Sequence, residues 1–135
     1  MEMTSLKVGI TFHEKFGQYD LGAGHPFRGD RFANVMGLFE EQGLLRLPNV
    51  VLLKPSLVGR EDLLRVHTED YVDLVFRLAE LSQPYDVETP VSPEILEAAR
   101  LVIGGAIEAG KAIFDGRVGR AVALGCGYHL SLIHI

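Results

Sequence analysis

Three short apolar segments, separated by longer periodic ones, set the pattern of the chain. Residues 6–12 alternate between apolar and other side chains and are rich in β-forming types, which predicts a strand. Residues 50–53 and 121–124 are continuously apolar and are bounded by turn residues, which is typical of strands buried on both faces of a parallel sheet. The pattern therefore predicts three strands, the last of which leads into residues 125–129.

The segments between the strands repeat their apolar residues with helical spacing. One helix is predicted to begin near Arg31, with Asp30 as its N-terminal cap, and to stop at Gly43. After the second strand the sequence predicts a short helix over Glu61–Val66, whose leading acids suit the helix dipole. A longer helix capped by Thr68 follows. Its predicted apolar face consists of Tyr71, Leu74, Val75, Leu78 and Leu81.

The longest predicted helix begins at Ser92-Pro93-Glu94, a cap followed by a first-turn proline and an acid, and runs to about Phe114. Gly104 and Gly105 lie inside it and cost helix propensity, about 1 kcal/mol each relative to alanine. A helix tolerates that cost where another backbone must come close, so we expect such a contact here. The predicted buried face consists of Ile95, Leu96, Ala99, Val102, Ile103, Ala106, Ile107, Ala109 and Ile113.

The order of strands and helices predicts an α/β fold with a parallel sheet. Ligands of such sheets bind at the carboxyl ends of the strands, and two segments occupy that position here. One is the glycine-rich stretch Tyr19–Phe32 after the first strand, and the other is residues 125–129 after the third. The first stretch is long and mixes charged residues with glycine and proline, which favours a loop that holds a shape.

Composition limits the classes of function. The chain has 135 residues, of which 47% are hydrophobic, and this predicts a single globular domain. Its net charge of -5 and the lack of a basic run argue against nucleic acid or an anionic membrane as a partner. The single cysteine, Cys126, fits a reducing compartment. With no signal-peptide pattern and no spanning apolar segment, we expect a cytoplasmic protein.

Among the residues able to do chemistry, His129 is the strongest candidate, because it follows a buried strand and two glycines, where backbone can approach a ligand. His25 is open to two interpretations, a site residue or a loop histidine bonded to backbone. His67 and Cys126 are better explained as structural residues. No pair of these residues has the spacing of a local metal site, and Gly125–Gly127 lacks the spacing of a nucleotide-binding loop.

Four segments, taken together and in this order, resemble the histone deacetylase family, including its bacterial acetoin-utilisation and acetylpolyamine-hydrolase relatives. They are Gly24-His25-Pro26 with Arg31, Val66–Val72, Glu88–Val91, and Gly125–His129. The resemblance covers residues 6–129. It implies a three-layer arginase/deacetylase-like α/β fold with a parallel sheet, of which only the N-terminal part is present. It also implies zinc-dependent hydrolysis of acetylated lysine or an acetylated polyamine.

The resemblance further implies roles for individual residues. His129 corresponds to the first histidine of a tandem pair that manages protons. Arg31 corresponds to an arginine in an internal channel beneath the site, and Glu88 stands where relatives place an aspartate that fixes the substrate backbone at the rim. The glycine-rich stretch corresponds to the wall and floor of the substrate tunnel. The other substrate-binding or channel positions are His25, Pro26, Gly127 and Tyr128.

The end of the chain departs from the family pattern. Relatives continue with a second histidine and then with aspartate and histidine zinc ligands, whereas this chain has Leu130 and stops at Ile135. We therefore expect residues 1–129 to be the N-terminal part of a deacetylase domain and residues 130–135 to be a non-native tail. Zinc is expected in the complete protein and not in this fragment, because zinc needs three or four ligands. The fragment alone is expected to be inactive and marginally stable.

Two alternatives remain open at this point. The chain is a non-catalytic interaction module that keeps a deacetylase-like fold, or it is a fragment of an arginase-like metallohydrolase of the same broad architecture.

Overall fold

A computed structural model describes residues 6–125, and within them the fold is α/β with a parallel sheet, as the sequence predicts. The strands are β1 (Val8–Thr11), β2 (Val50–Leu53) and β3 (Arg120–Ala123). The helices are α1 (Asp30–Glu41), α2 (Arg60–Leu63), α3 (Glu69–Leu81) and α4 (Pro93–Phe114), with short 3₁₀ turns at Glu14–Gln18 and Leu44–Arg46. Among residues 6–125, no helix is both long enough and apolar enough to cross a membrane.

Strand β1 lies in the centre of the sheet, in the order β2-β1-β3, and pairs in parallel with both neighbours. Its last residue, Thr11, is in register with Leu53 of β2 and Ala123 of β3. The chain therefore leaves all three strands at the same edge of the sheet. This places the loop after β1 and the segment after β3 side by side.

Helix α4 covers one face of the sheet. Leu53 of β2 forms a buried cluster with Ala112 of α4 and Val118, in the turn after it, and Val51 and Ala121 pack against this cluster. The prediction that the second and third strands are buried on both faces is wrong for the described residues. Leu52 is 56% exposed and Val122 is 45% exposed, because their side chains alternate to the face away from α4.

The adjacent glycines Gly104 and Gly105 of α4 allow the close contact that their positions predict. A Cβ atom on Gly104 would lie 1.7 Å from the carbonyl oxygen of Ser56, and one on Gly105 would lie 3.1 Å from Thr11 Oγ1. Thr11 is fully buried, and its hydroxyl has no hydrogen-bond partner among residues 6–125. The backbone of α4 thus lies directly against Thr11, the last residue of β1, and against the loop after β2.

The buried residues of α3 and α4 differ in part from the predicted ones, because the helix surfaces that pack most closely against the rest of the protein carry small side chains. In α4, Ile103, Ile107 and Ile113 are exposed. The buried residues of α4 are Ala98, Leu101, Val102, Gly104, Gly105, Ala109 and Ala112. In α3, Val72 and Ala79 are buried, whereas the predicted face residues Tyr71, Leu74 and Leu81 are exposed.

The helix ends follow the sequence with two exceptions. At the start of α3, Thr68 Oγ1 accepts a hydrogen bond from the Tyr71 backbone N–H at 3.4 Å. At the start of α4, Ser92 Oγ accepts one from the Ile95 backbone N–H at 3.1 Å. After α1, the backbone of Gly43 has the left-handed conformation. Asp30 is wrong as a cap: it is the first residue of α1, no side chain caps that helix, and the Asp30 carboxylate pairs with Arg28. The helix predicted at residues 61–66 is shorter in the structure: it begins one residue earlier, at Arg60, and ends at Leu63.

We predict that Gly104→Ala destabilises the protein, because the new methyl group would collide with the Ser56 carbonyl unless α4 moved off the sheet. Such overpacking costs about 1–3 kcal/mol or more. Gly110→Ala is the matched control: nothing lies within 4 Å of a Cβ there, so helix propensity should stabilise that variant by roughly 0.5–1 kcal/mol. Thermal unfolding of the full-length protein measures both changes. Equal effects of the two substitutions would contradict the close contact.

Candidate functional site

The loop between β1 and α1 is closed by one carboxylate. Asp20 accepts hydrogen bonds from the backbone N–H groups of Gly29 and Gly22, both at 2.8 Å. These bonds, of which the one from Gly29 has the larger effect, hold the pKa of Asp20 below its usual value because they favour the charged form. The Asp20 carboxylate thus joins the two ends of the segment that contains His25.

Inside this closed segment the backbone turns sharply at His25. Gly22 and Gly24 have φ values of 101° and 84°, which residues with a side chain rarely adopt. The His25 backbone N–H donates to the Gly22 carbonyl at 3.1 Å. His25 Nδ1 accepts a hydrogen bond from the Phe27 backbone at 3.0 Å, so the histidine does bond to backbone, as one of the two interpretations expected.

Buried aromatic side chains anchor the loop from below. Phe27 and Phe32 meet edge to face with their ring centroids 6.3 Å apart, and Phe16 and Phe32 do so at 6.0 Å. All three belong to one buried cluster with Leu21 and with Leu101 and Val102 of α4. Because α4 lies so close to the sheet, its side chains reach the underside of this loop.

A second loop, between α3 and α4, faces the first. The Tyr85 backbone donates to the Thr89 carbonyl at 2.9 Å, and the Asp86 carboxylate accepts the Glu88 backbone N–H at 2.9 Å. This tight turn leaves Val87 and Glu88 exposed at its tip. Its geometry matches an Asx turn, in which a side-chain carboxylate fixes the backbone two residues on.

The two loops enclose a cavity of about 550 Å³ at the carboxyl edge of the sheet. Three of the residues that the sequence singled out, His25, Pro26 and Glu88, line it. Its other lining residues are Leu21, Ala23, Gly24 and Val87. Imidazole, proline ring and carboxylate are thereby brought together from distant parts of the chain.

Arg31 lies beside this cavity rather than in its wall. Its guanidinium carbon is 3.9 Å from the centroid of the Phe27 ring and 5.0 Å from that of Phe32, and the residue is exposed. The aromatic faces hold this cation in place. The sequence did not predict these ring partners of Arg31.

The segment after β3 leaves the sheet against the same aromatic cluster. A Cβ atom on Gly125 would lie 3.0 Å from Val102 and 3.3 Å from the Phe32 ring, and the φ of Gly125 is 84°. The predicted site residues Gly127, Tyr128 and His129, together with Cys126, lie outside the described residues. The chain therefore enters the segment that carries His129 next to the glycine-rich loop.

A metal centre does not form within the described part of the chain. No group of three or more histidine, cysteine, aspartate or glutamate side chains comes together among residues 6–125. Zinc requires three or four such ligands, so these residues do not by themselves fit the zinc that the resemblance implies.

Residues 25–131 match the model of the histone deacetylase domain. The chain belongs to the histone deacetylase family. It is 33% identical over 117 residues to a probable deacetylase of Archaeoglobus fulgidus, covering 87% of this chain and 33% of that protein. It is 27% identical over 133 residues to the histone deacetylase clr6 of Schizosaccharomyces pombe, covering 91% of this chain and 32% of that protein.

Two further likenesses extend the comparison. The chain is 31% identical over 114 residues to the acetoin utilization protein AcuC of Bacillus subtilis, covering 78% of this chain and 29% of that protein. The crystal structure of the HDA15 HD domain matches with a TM-score of 0.74 at 24% identity, covering 87% of this chain and 34% of that one. The deacetylase-like α/β fold is thus confirmed, and the chain spans about a third of the length of these relatives.

Sequence reasoning missed Asp20, which closes the glycine-rich loop, and Asp86, which fixes the loop opposite. Gly29, the partner of Asp20, is nine residues away, and no local periodicity links them. The available signal for Asp20 was an aspartate two residues before a glycine, which is typical of an Asx turn.

We predict that the loop clamp is stable at neutral pH and opens only in acid. Because the folded pKa of Asp20 is depressed, the carboxylate stabilises the loop above the unfolded value of 3.8, and this contribution is lost as pH falls through the folded pKa. In NMR titrations of the full-length protein, the Gly22 and Gly29 amide shifts should change with a midpoint below 3.8, while the Gly37 amide in α1 should not follow. In Asp20→Asn the two loop amides should lose this titration. A midpoint at or above the unfolded value would contradict the clamp.

Proposed function

We propose that this chain forms the first third of a zinc-dependent deacetylase domain that hydrolyses acetylated lysine or an acetylated polyamine. The observation that carries the proposal is the cavity lined by His25, Pro26 and Glu88. Its lining residue Leu21 belongs to the buried cluster against which Leu124 packs after β3. Membership of the histone deacetylase family supports the reaction class over an arginase-like one. The remaining two thirds of such a domain would supply the parts that residues 6–125 lack.

The cavity suits the chain of an acetylated amine. The apolar surfaces of Leu21, Pro26 and Val87 can pack along the methylene groups of a lysine or polyamine side chain. The exposed Glu88 carboxylate would accept an N–H group of the substrate at the rim. The Asx turn orders the loop that carries Glu88, and the Asp20 clamp orders the loop that carries His25, so each side of the cavity has a fixed backbone before substrate enters.

The remaining proposed roles belong to residues beside the cavity. His129 would take and return protons during hydrolysis, with Gly127 and Tyr128 lining the approach to it. Arg31, held on the Phe27 ring, would supply a fixed positive charge for the departing acetate. Zinc, when bound, would polarise the amide carbonyl and activate a water, and its ligands would come from outside residues 6–125.

The decisive experiment compares substrates with the protein in its full natural length. Release of acetate from an acetyl-lysine peptide and from N-acetylputrescine is measured beside release of urea from arginine and agmatine. We expect acetate release only, lost on treatment with a zinc chelator and restored by zinc. Urea release would favour the arginase-like alternative. Absence of both activities in a folded, zinc-loaded protein would favour the non-catalytic module.

Arg31→Ala is predicted to slow acetate release without removing zinc, because the guanidinium lies on the Phe27 ring and arginine is not a zinc ligand. A loss of about 10–100-fold in kcat would be typical for one charged group that assists a step. Arg28→Ala is the matched control, since Arg28 lies three residues earlier and pairs with Asp30 at the surface. Zinc content is measured alongside, and zinc loss in the Arg31 variant would contradict the proposed placement.

A further inference from the structure

A second concave site lies on the other side of the glycine-rich loop, along the seam between α3 and α4. Two cavities, of about 490 Å³ and 260 Å³, share the lining residues Tyr19, Tyr71, Val75, Leu96 and Ala99. We call these two adjoining cavities together the α3–α4 groove. Its size falls in the range of small-molecule pockets. It shares only Leu21 with the cavity proposed for the acetylated substrate.

The walls of the groove are mainly aliphatic and aromatic. Asp86 is the only acidic residue among the described lining residues, and it lines the larger cavity, whereas Arg100 lines the smaller one. Tyr71 of α3 meets Tyr85 edge to face at 6.3 Å between ring centroids, and it meets His67 at 5.0 Å. Tyr71 and Tyr85 are 40% and 52% exposed, so solvent reaches the groove. Such walls favour a ligand with an aromatic or branched aliphatic body, which the rings can contact by edge and face.

Arg100 supplies the only arginine or lysine side chain among the described residues that line the groove. It is half-buried at the end nearest His67, and its guanidinium carbon lies 5.4 Å from the centroid of the Phe76 ring. Its Nε donates to the Val58 carbonyl at 2.8 Å, which fixes the plane of the group. Among residues 6–125 no carboxylate lies within ion-pair distance of Arg100, so its charge is left without a counter-ion in a partly desolvated place.

We propose that the α3–α4 groove is a binding site for a small monocarboxylate with an aromatic or branched aliphatic body. The carboxylate accepts hydrogen bonds from the two terminal nitrogens of Arg100, and the body lies against Tyr71, Val75 and Leu96. This site is separate from the proposed deacetylase site and does not depend on it.

The geometry favours a carboxylate over a phosphate. Val58 already occupies Nε of Arg100, which leaves the two terminal nitrogens, and a planar carboxylate can accept from both. A doubly charged phosphate would bring a second negative charge into a groove that has one arginine and already contains the Asp86 carboxylate. Desolvation of that second charge would not be compensated.

The test uses a matched pair of probes, 3-phenylpropionate and its neutral amide, with the full-length protein. Binding is measured by ligand-observed NMR and by calorimetry. We expect the acid to bind about tenfold or more tightly than the amide, since only the acid forms a charge-assisted pair with Arg100. Saturating acetyl-lysine peptide should leave binding of the acid unchanged. Equal binding of the two probes, no binding of either, or displacement by the peptide would overturn the proposal.

Two substitutions in α4 locate the site without removing Arg100. Ala99 lines both parts of the groove, so Ala99→Leu should fill it and abolish binding of the acid. Ala106→Leu places the same bulk at an exposed position of the same helix and should leave binding unchanged. Retained binding in Ala99→Leu, or equal loss in both variants, would show that the probe binds elsewhere.

Discussion

The close approach of helix α4 to the sheet is the constraint on which the rest of this structure depends. At Gly104 the helix backbone touches the backbone at Ser56, and at Gly105 it touches the side chain of Thr11. This contact sets the height of α4 above β1 and brings Leu101 and Val102 under the glycine-rich loop. The aromatic cluster, the loop it supports and the cavity beside that loop all follow from the position of one helix.

Fixed polar groups then give the cavity its shape. The Asp20 carboxylate closes one loop and the Asp86 carboxylate fixes the other, and both act on backbone N–H groups rather than on side chains. Both partners of Asp20 are glycines that their surroundings require: Gly22 has a φ of 101°, and a Cβ atom on Gly29 would lie 1.9 Å from the Gly17 carbonyl oxygen. The shape of the glycine-rich loop therefore depends on these glycines as well as on Asp20, whereas Glu88, at the tip of the other loop, is an exposed side chain that does not hold its loop together.

Much of the fold could be predicted from the sequence, because strands and capped helices are local in origin. The apolar runs located β1, β2 and β3, and Ser92-Pro93 located the start of α4. The buried faces of the helices were predicted only in part. Val102 and Ala109 of α4 are buried as expected, but the tight contact of α4 with the sheet selects alanine and glycine, and Ile103, Ile107 and Ile113 are exposed. At the site, the motifs identified His25 and Glu88. Their meeting across one cavity could not be read from spacing, since each lies on a loop shaped by its own aspartate.

The position of β1 in the sheet has a consequence for how the chain is made. Val8 of β1 pairs with Val50 of β2, and β2 is synthesised soon after β1. Val8 also pairs with Arg120 of β3, which is synthesised only after the whole of α4. During synthesis the central strand therefore has one bare edge, with unpaired N–H and C=O groups that can template a foreign strand. Because β1 and β3 are far apart in the sequence, their pairing is also a slow, non-local step of folding. The central strand of the described sheet thus needs protection of this edge in the nascent chain.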